Sequence, residues 1–195
     1  MATNKVRGRG RPRRFDPEQG VAAAQQLFHA RGYDAVTVSD ITDALGINPP
    51  SFYAAFGSKA ALYGRVLDRW SATGAIPIMD ILRPDRPVSE ALIDLLEEAA
   101  RRYGSDPEAL GCLVLEGTRC NAAEAREAAC ELNRAAEDVI RDFIAARYKD
   151  DADRLTNYVS TTMSGLSAKA RNGHSLEQLL TTARLAGSVL KQVCG

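Results

Sequence analysis

The chain is predicted to be all-α, with a small N-terminal three-helix unit followed by a larger helical remainder. Three observations predict this. Apolar residues recur at three- and four-residue steps through nearly every segment, no strand-like alternation persists, and a capping residue precedes each of the first four segments. The expected organisation is a basic, flexible arm over 1–14, a helix-turn-helix domain over 15–60 and a helical domain over 61–195.

Taken in order, Asp16 is placed to cap a first helix, with Pro17 at its first position and Gln19 reaching back as in a capping box. Val21, Ala24, Leu27 and Phe28 form its apolar face, and Gly32 ends it. Thr37-Val38-Ser39-Asp40 opens a short second helix through Ile41, Ala44 and Leu45. Gly46 supplies the left-handed residue of a tight helix-helix corner. Asn48 caps the third helix, where Pro49 lacks only an N–H that would have no partner, and Ser58 caps the fourth. Gly74, Pro77, Pro84 and Pro87 mark a loop-rich connection.

The next helix carries Val88, Leu92, Leu95, Leu96, Ala99 and Tyr103. Asn121 with Glu124 is expected to open a long helix bearing Leu132, Ala136, Val139, Phe143 and Ala146. The last two helices are expected at about 152–171 and 175–193, separated by Asn172-Gly173, with Ser175 and Gln178 capping the second.

Charge is unevenly spread over a chain of net charge zero. Residues 1–70 hold ten Lys and Arg against six Asp and Glu, and the remaining 125 hold fifteen against nineteen. Lys5, Arg7, Arg9, Arg11, Arg13 and Arg14 fall in the first fourteen residues, where there is no acid, so that end suits a polyanionic partner. Cys112, Cys120, Cys130 and Cys194 lack metal-ligand spacing, and neither a metal nor another cofactor is expected. No apolar run approaches the ~20 residues of a membrane span, and Asp16-Pro17-Glu18-Gln19 follows the basic stretch where a signal peptide would be apolar. The expectation is a cytoplasmic protein with reduced thiols.

The segment Ala44–Lys59 carries the most specific signal. Phe28, Gly32-Tyr33, Thr37-Val38-Ser39-Asp40-Ile41, Gly46-Ile47, Ser51-Phe52-Tyr53, Phe56 and Ser58-Lys59 before Leu62 together resemble the TetR family of bacterial transcriptional repressors. The spacing places Phe52 and Phe56 on the inner side of the third helix, with Ser51, Tyr53 and Ala55 outward. The resemblance implies that Tyr53, Lys59 and Thr37 contact phosphates, which positions a protein without reading sequence. Pro50 and Ala54 are expected near base edges, Ala54 against a thymine methyl. Ala55 stands where relatives often carry a larger polar residue, so direct readout is thin. The arginine arm resembles minor-groove arms that favour narrow A·T-rich tracts.

The resemblance further implies a homodimer formed through the last two helices. There Gly165, Ala168, Ala183, Ala186 and Gly187 would allow close approach between subunits. It also implies an internal site for an unknown small-molecule effector, with Trp70, Met79, Tyr103, Cys112, Leu115, Phe143, Tyr158 and Met163 as lining and Arg119 or Asn133 as polar anchors. The expected function is repression from a palindromic DNA operator, relieved by that effector. One alternative is a thiol switch at Cys112, near a helix start that would lower its pKa. Others are an architectural DNA-binding protein and an enzyme, although no nucleophile–base pair, metal cluster or phosphate loop supports catalysis.

Overall fold

A computed structural model describes residues 15–194, whose regular structure is helical throughout. α1 (Pro17–Arg31) begins where the Asp16 carboxylate accepts from the Glu18 amide at 3.0 Å and ends at Gly32, with φ +78°. The carboxylate reaches the second amide directly, so this Asx closure takes the place of the expected capping box. In α2 (Val38–Leu45) the box is complete: the Asp40 amide donates to Thr37 Oγ1 at 3.1 Å and the Thr37 amide to Asp40 Oδ2 at 2.7 Å. Gly46 (φ +63°) turns the chain into α3 (Pro49–Phe56), where the Asn48 side chain accepts from the Ser51 amide at 2.9 Å. Ser58 accepts from the Ala61 amide at 2.9 Å and starts α4 (Lys59–Thr73).

α5 (Ile78–Ile81) is a single turn inside the stretch expected as loop. After it come α6 (Val88–Ser105), α7 (Leu113–Gly117), α8 (Ala123–Ala145), α9 (Ala152–Arg171) and α10 (Leu176–Cys194). Asn121 does not cap α8. Its backbone and side-chain amides both donate to Asp34 Oδ2, at 2.9 and 3.0 Å, and the N-cap position falls one residue later, on Ala122. Ser175 and Gln178 do form the expected reciprocal cap, at 2.9 and 3.3 Å.

The apolar side chains gather into two cores. One joins α6, the C-terminal half of α8, α9 and α10. Within it α10 lies along α6 so closely that a Cβ on Gly187 would stand 2.9 Å from Ile93 Cγ1. Ala183 and Gly187 are both buried, and the small size of Gly187 serves this contact within the chain. The other core joins α1–α4 to Leu113 and Val114 of α7, to Cys120 in the turn that follows, and to Ala125 and Ala129 in the first turns of α8. At its centre Phe28, Tyr33 and Tyr63 meet with ring centroids 4.9–5.6 Å apart, each pair adding about 0.5–1.5 kcal/mol beyond burial.

Candidate nucleic-acid interface and effector cavity

α3 is fixed by its apolar side. Phe52 and Phe56 are buried, with ring centroids 5.4 Å apart, and Ala55 is half-buried against the same core. Ala55 was expected outward, but the packing of α3 draws it in. The open face is therefore Pro50, Ser51, Tyr53 and Ala54, with Tyr53 at 53% exposure.

Thr37 is also exposed, and its hydroxyl donates to Asp40 Oδ2 at 2.5 Å. That bond and the neighbouring Arg31 guanidinium hold the Asp40 carboxyl well below the usual carboxylate range. Lys59 is half-buried. Its ammonium donates to the Tyr33 and Val36 carbonyls at 3.0 and 2.8 Å and lies 4.0 Å from the Tyr33 ring centroid. It thus locks the α1–α2 loop onto α4. Arg7, Arg9, Arg11 and Arg13 lie outside the described residues.

A cavity of about 310 Å³ opens between α4, α6, α7, α8 and α9. Six of the expected residues line it: Trp70, Tyr103, Cys112, Leu115, Asn133 and Met163. Four lie elsewhere. Met79 is 72% exposed, and Arg119 is exposed in the turn after α7. Phe143 is buried beneath the Arg147 guanidinium, 5.4 Å from its ring centroid. The Tyr158 hydroxyl donates to the Ala186 carbonyl at 3.2 Å, in a groove between α9 and α10.

Sequence reasoning missed Arg102 and Glu137, charged residues of the wall, and Ile76 and Ile78 from the connection after α4. The four-residue step from Asn133 to Glu137, which puts both on one helical face, was the available signal for Glu137.

Cys112 does not have the chemistry of an activated thiol. Burial pushes its pKa up and outweighs the bonds from the amides of Leu115 and Val114. Its helix, α7, is only five residues long and ends at Gly117, so Cys112 and Cys120 do not share a continuous helix. A switch based on a low-pKa thiol is therefore not favoured.

The cavity wall is tied to both ends of the molecule. Trp70 packs edge-on against His29 with centroids 4.8 Å apart, and His29 Nε2 lies 3.1 Å from the Gly111 carbonyl oxygen. The Cys112 amide donates to Ser167 Oγ of α9 at 2.9 Å. On the far side α10 presents Leu185, 71% exposed, with Leu176, Val189 and Val193 also open. Among the described residues no group of three or more His, Cys, Asp or Glu is placed to hold a metal, and no helix is long and apolar enough to cross a membrane.

A glycine-cornered helix pair with an open second helix, seated on a helical body with an internal cavity, defines a transcriptional regulator of the helix-turn-helix class. Comparison with known proteins gives the family. The family model described as bacterial regulatory proteins, tetR family, matches residues 21–66. The chain is 55% identical over 194 residues to the HTH-type transcriptional repressor BdcR of Escherichia coli (strain K12), covering 99% of this chain and 98% of that protein. It is 27% identical to the HTH-type transcriptional repressor ComR of the same organism, covering 98% and 97%. A cysteine mutant of the TetR family transcriptional regulator CifR, solved with 26bp double-strand operator DNA, is similar with a TM-score of 0.79 at 30% identity, covering 91% of this chain and 98% of that one. The chain belongs to the TetR family.

Proposed function

We propose that the protein is a homodimeric repressor whose two reading heads bind a palindromic operator in double-stranded DNA and are released by a small molecule entering the α4–α9 cavity. The observation that carries this is the 55% identity to the repressor BdcR, which runs through both halves of the chain. The open face of α3 supports it: Tyr53, Ser51 and Thr37 meet phosphates while Pro50 and Ala54 lie against base edges, and Lys59 holds the loop that carries Thr37. The arm over 1–14 adds Arg7, Arg9, Arg11 and Arg13 in the adjacent minor groove, outside the described residues. The head spans 15–60 and the effector and dimer domain 61–195, the protein acts in the cytoplasm, and the exposed apolar side of α10 pairs with its copy.

Release is a shift between two dimer states that space the heads differently, so the effector must bind the released state more tightly. The contacts from Trp70 to His29 and from Cys112 to Ser167 give cavity occupancy a physical route to α1 and α9. Footprinting on the intergenic DNA upstream of the gene tests the proposal. Protection of one inverted repeat is expected, and the absence of any protected palindrome would count heavily against it.

A further inference from the structure

We infer that the cavity selects an apolar molecule carrying a protonated amine and discriminates against carboxylates and phosphates. The inference rests on the reading of this cavity as the effector site, and it comes from the unmatched charge of the wall and from the hydroxyl protons already spent on helix carbonyls. Ser71 Oγ donates to the Leu67 carbonyl at 2.9 Å, and Ser160 Oγ to the Asn157 carbonyl at 3.4 Å. A helix carbonyl can only accept, so both hydroxyls keep only lone pairs for a ligand. Asn133 Nδ2 donates to Glu137 Oε1 at 3.1 Å, which orients the amide and leaves Asn133 Oδ1 as an acceptor beside one remaining N–H.

Among the described residues Arg102 is the one cation of the wall, and most of its donors are already engaged. Its Nε donates to Glu98 Oε1 at 2.7 Å, and its Nη1 to the Gly74 and Ala75 carbonyls at 3.3 and 2.9 Å. Its charge is paired with Glu98, which also meets Arg101, and its Nη1 holds the end of α4, so only Nη2 is left to a ligand. Glu137 has no such match. The arginines three before and four after it on α8 are paired elsewhere, Arg134 with Glu127 and Arg141 with Asp138. Among the described residues no Lys or Arg nitrogen lies within 4.0 Å of the Glu137 carboxylate.

The polar part of the wall therefore offers acceptors at Ser71, Ser160 and Asn133 and carries one unmatched negative charge. An ammonium satisfies Glu137 and can also donate to Asn133 Oδ1, while the Trp70 and Tyr103 rings suit an apolar body and a nearby cation. A carboxylate would meet the like charge of Glu137, and the cation of the described wall is already paired with Glu98. The volume, near the lower end of the ~300–1,000 Å³ typical of ligand pockets, points to a compact molecule.

Trp70 is the sole tryptophan of the chain and lines the cavity, so its emission reports occupancy. The full-length protein is titrated at about pH 7.5, where a primary amine is protonated, with three probes of equal length: 4-phenylbutylamine, 4-phenylbutan-1-ol and 4-phenylbutyrate. The amine is expected to bind at least about tenfold more tightly than the acid, a gap of 1.4 kcal/mol, with the alcohol between them. Glu137→Gln should bring the amine close to the alcohol and leave the alcohol unchanged. Glu137→Met gives the same comparison without a new amide, and circular dichroism checks the fold of both. An acid that binds as tightly as the amine, or a preference that survives both substitutions, overturns the inference while alcohol binding upholds the cavity reading. If no probe gives a saturable response, the inference and the cavity reading fall together.

Discussion

Arg171, in the last turn of α9, donates its Nη2 to the carbonyl oxygen of His29, in the last turn of α1, at 2.8 Å. That carbonyl is one of those a helix leaves without a partner at its C-terminus, and a guanidinium there also complements the helix dipole. Arg171 Nε stands 3.3 Å from Glu116 Oε2 of α7, so one side chain joins three helices. Arg171→Met is expected to lower the unfolding free energy by about 1–2 kcal/mol, the range for a partly screened bond to a charged donor. Urea denaturation measures it, and an unchanged midpoint would show that the link carries no stability.

The same junction makes stability depend on pH. Burial is the main reason that His29 titrates below its ordinary value; the Gly111 carbonyl opposes the shift and the Arg171 charge adds to it. An unfolded chain takes up this proton near pH 6.5. Below that pH the unfolded state binds more protons than the folded one, so this contribution is present above about 6.5 and is lost as pH falls toward the lower folded pKa. The wild type should therefore lose more urea resistance between about pH 7.5 and 5.5 than His29→Gln, since only the wild type carries this titration. Parallel losses would remove His29 as the cause.

Lys59 and Tyr53 should separate stability from DNA contact. Lys59→Met strips a charged donor from two backbone carbonyls and is expected to cost about 1–3 kcal/mol of stability. Tyr53→Ala should leave the melting temperature nearly unchanged, because the ring is 53% exposed, and should weaken operator binding by a similar factor across operator variants. A Lys59 variant with normal melting but weak DNA binding would place its ammonium on phosphate instead.

Leu185 tests the subunit face. It is 71% exposed on α10, so Leu185→Glu should fold normally as a monomer but bury a charge in the proposed dimer. Light scattering after gel filtration should show half the wild-type mass together with loss of operator binding. An intact dimer would move the interface elsewhere.

What was legible in the sequence followed from local rules. The caps at Thr37, Asn48 and Ser58 and the turns at Gly32 and Gly46 depend on residues within a few positions, and each stands where the chain predicts it. The cavity was half legible, because helical periodicity shows which residues share a face but not which face meets empty space. Phe143 and Met163 both lie on apolar stripes, yet one fills the core and the other lines the cavity. Contacts between distant segments were beyond local rules altogether. Asn121 gives its amides to Asp34, 87 residues away, and Lys59 turns inward to carbonyls 26 and 23 residues before it. α5 and α7, of four and five residues, are too short to show a period.

The N-terminal core reaches past the reading head into α7 and the first turns of α8, which bears on how such proteins can be recombined. A chimaera that exchanged heads at residue 60 would set a foreign surface against Leu113, Val114, Ala125 and Ala129, all buried in this chain. Gly117, whose Cβ would stand 2.9 Å from that of Ala129 and strike the Tyr63 hydroxyl, leaves no slack for a poorly matched seam. The transplantable unit is discontinuous: α1–α4 travel with α7 and the start of α8, and the graft must be cut at both places.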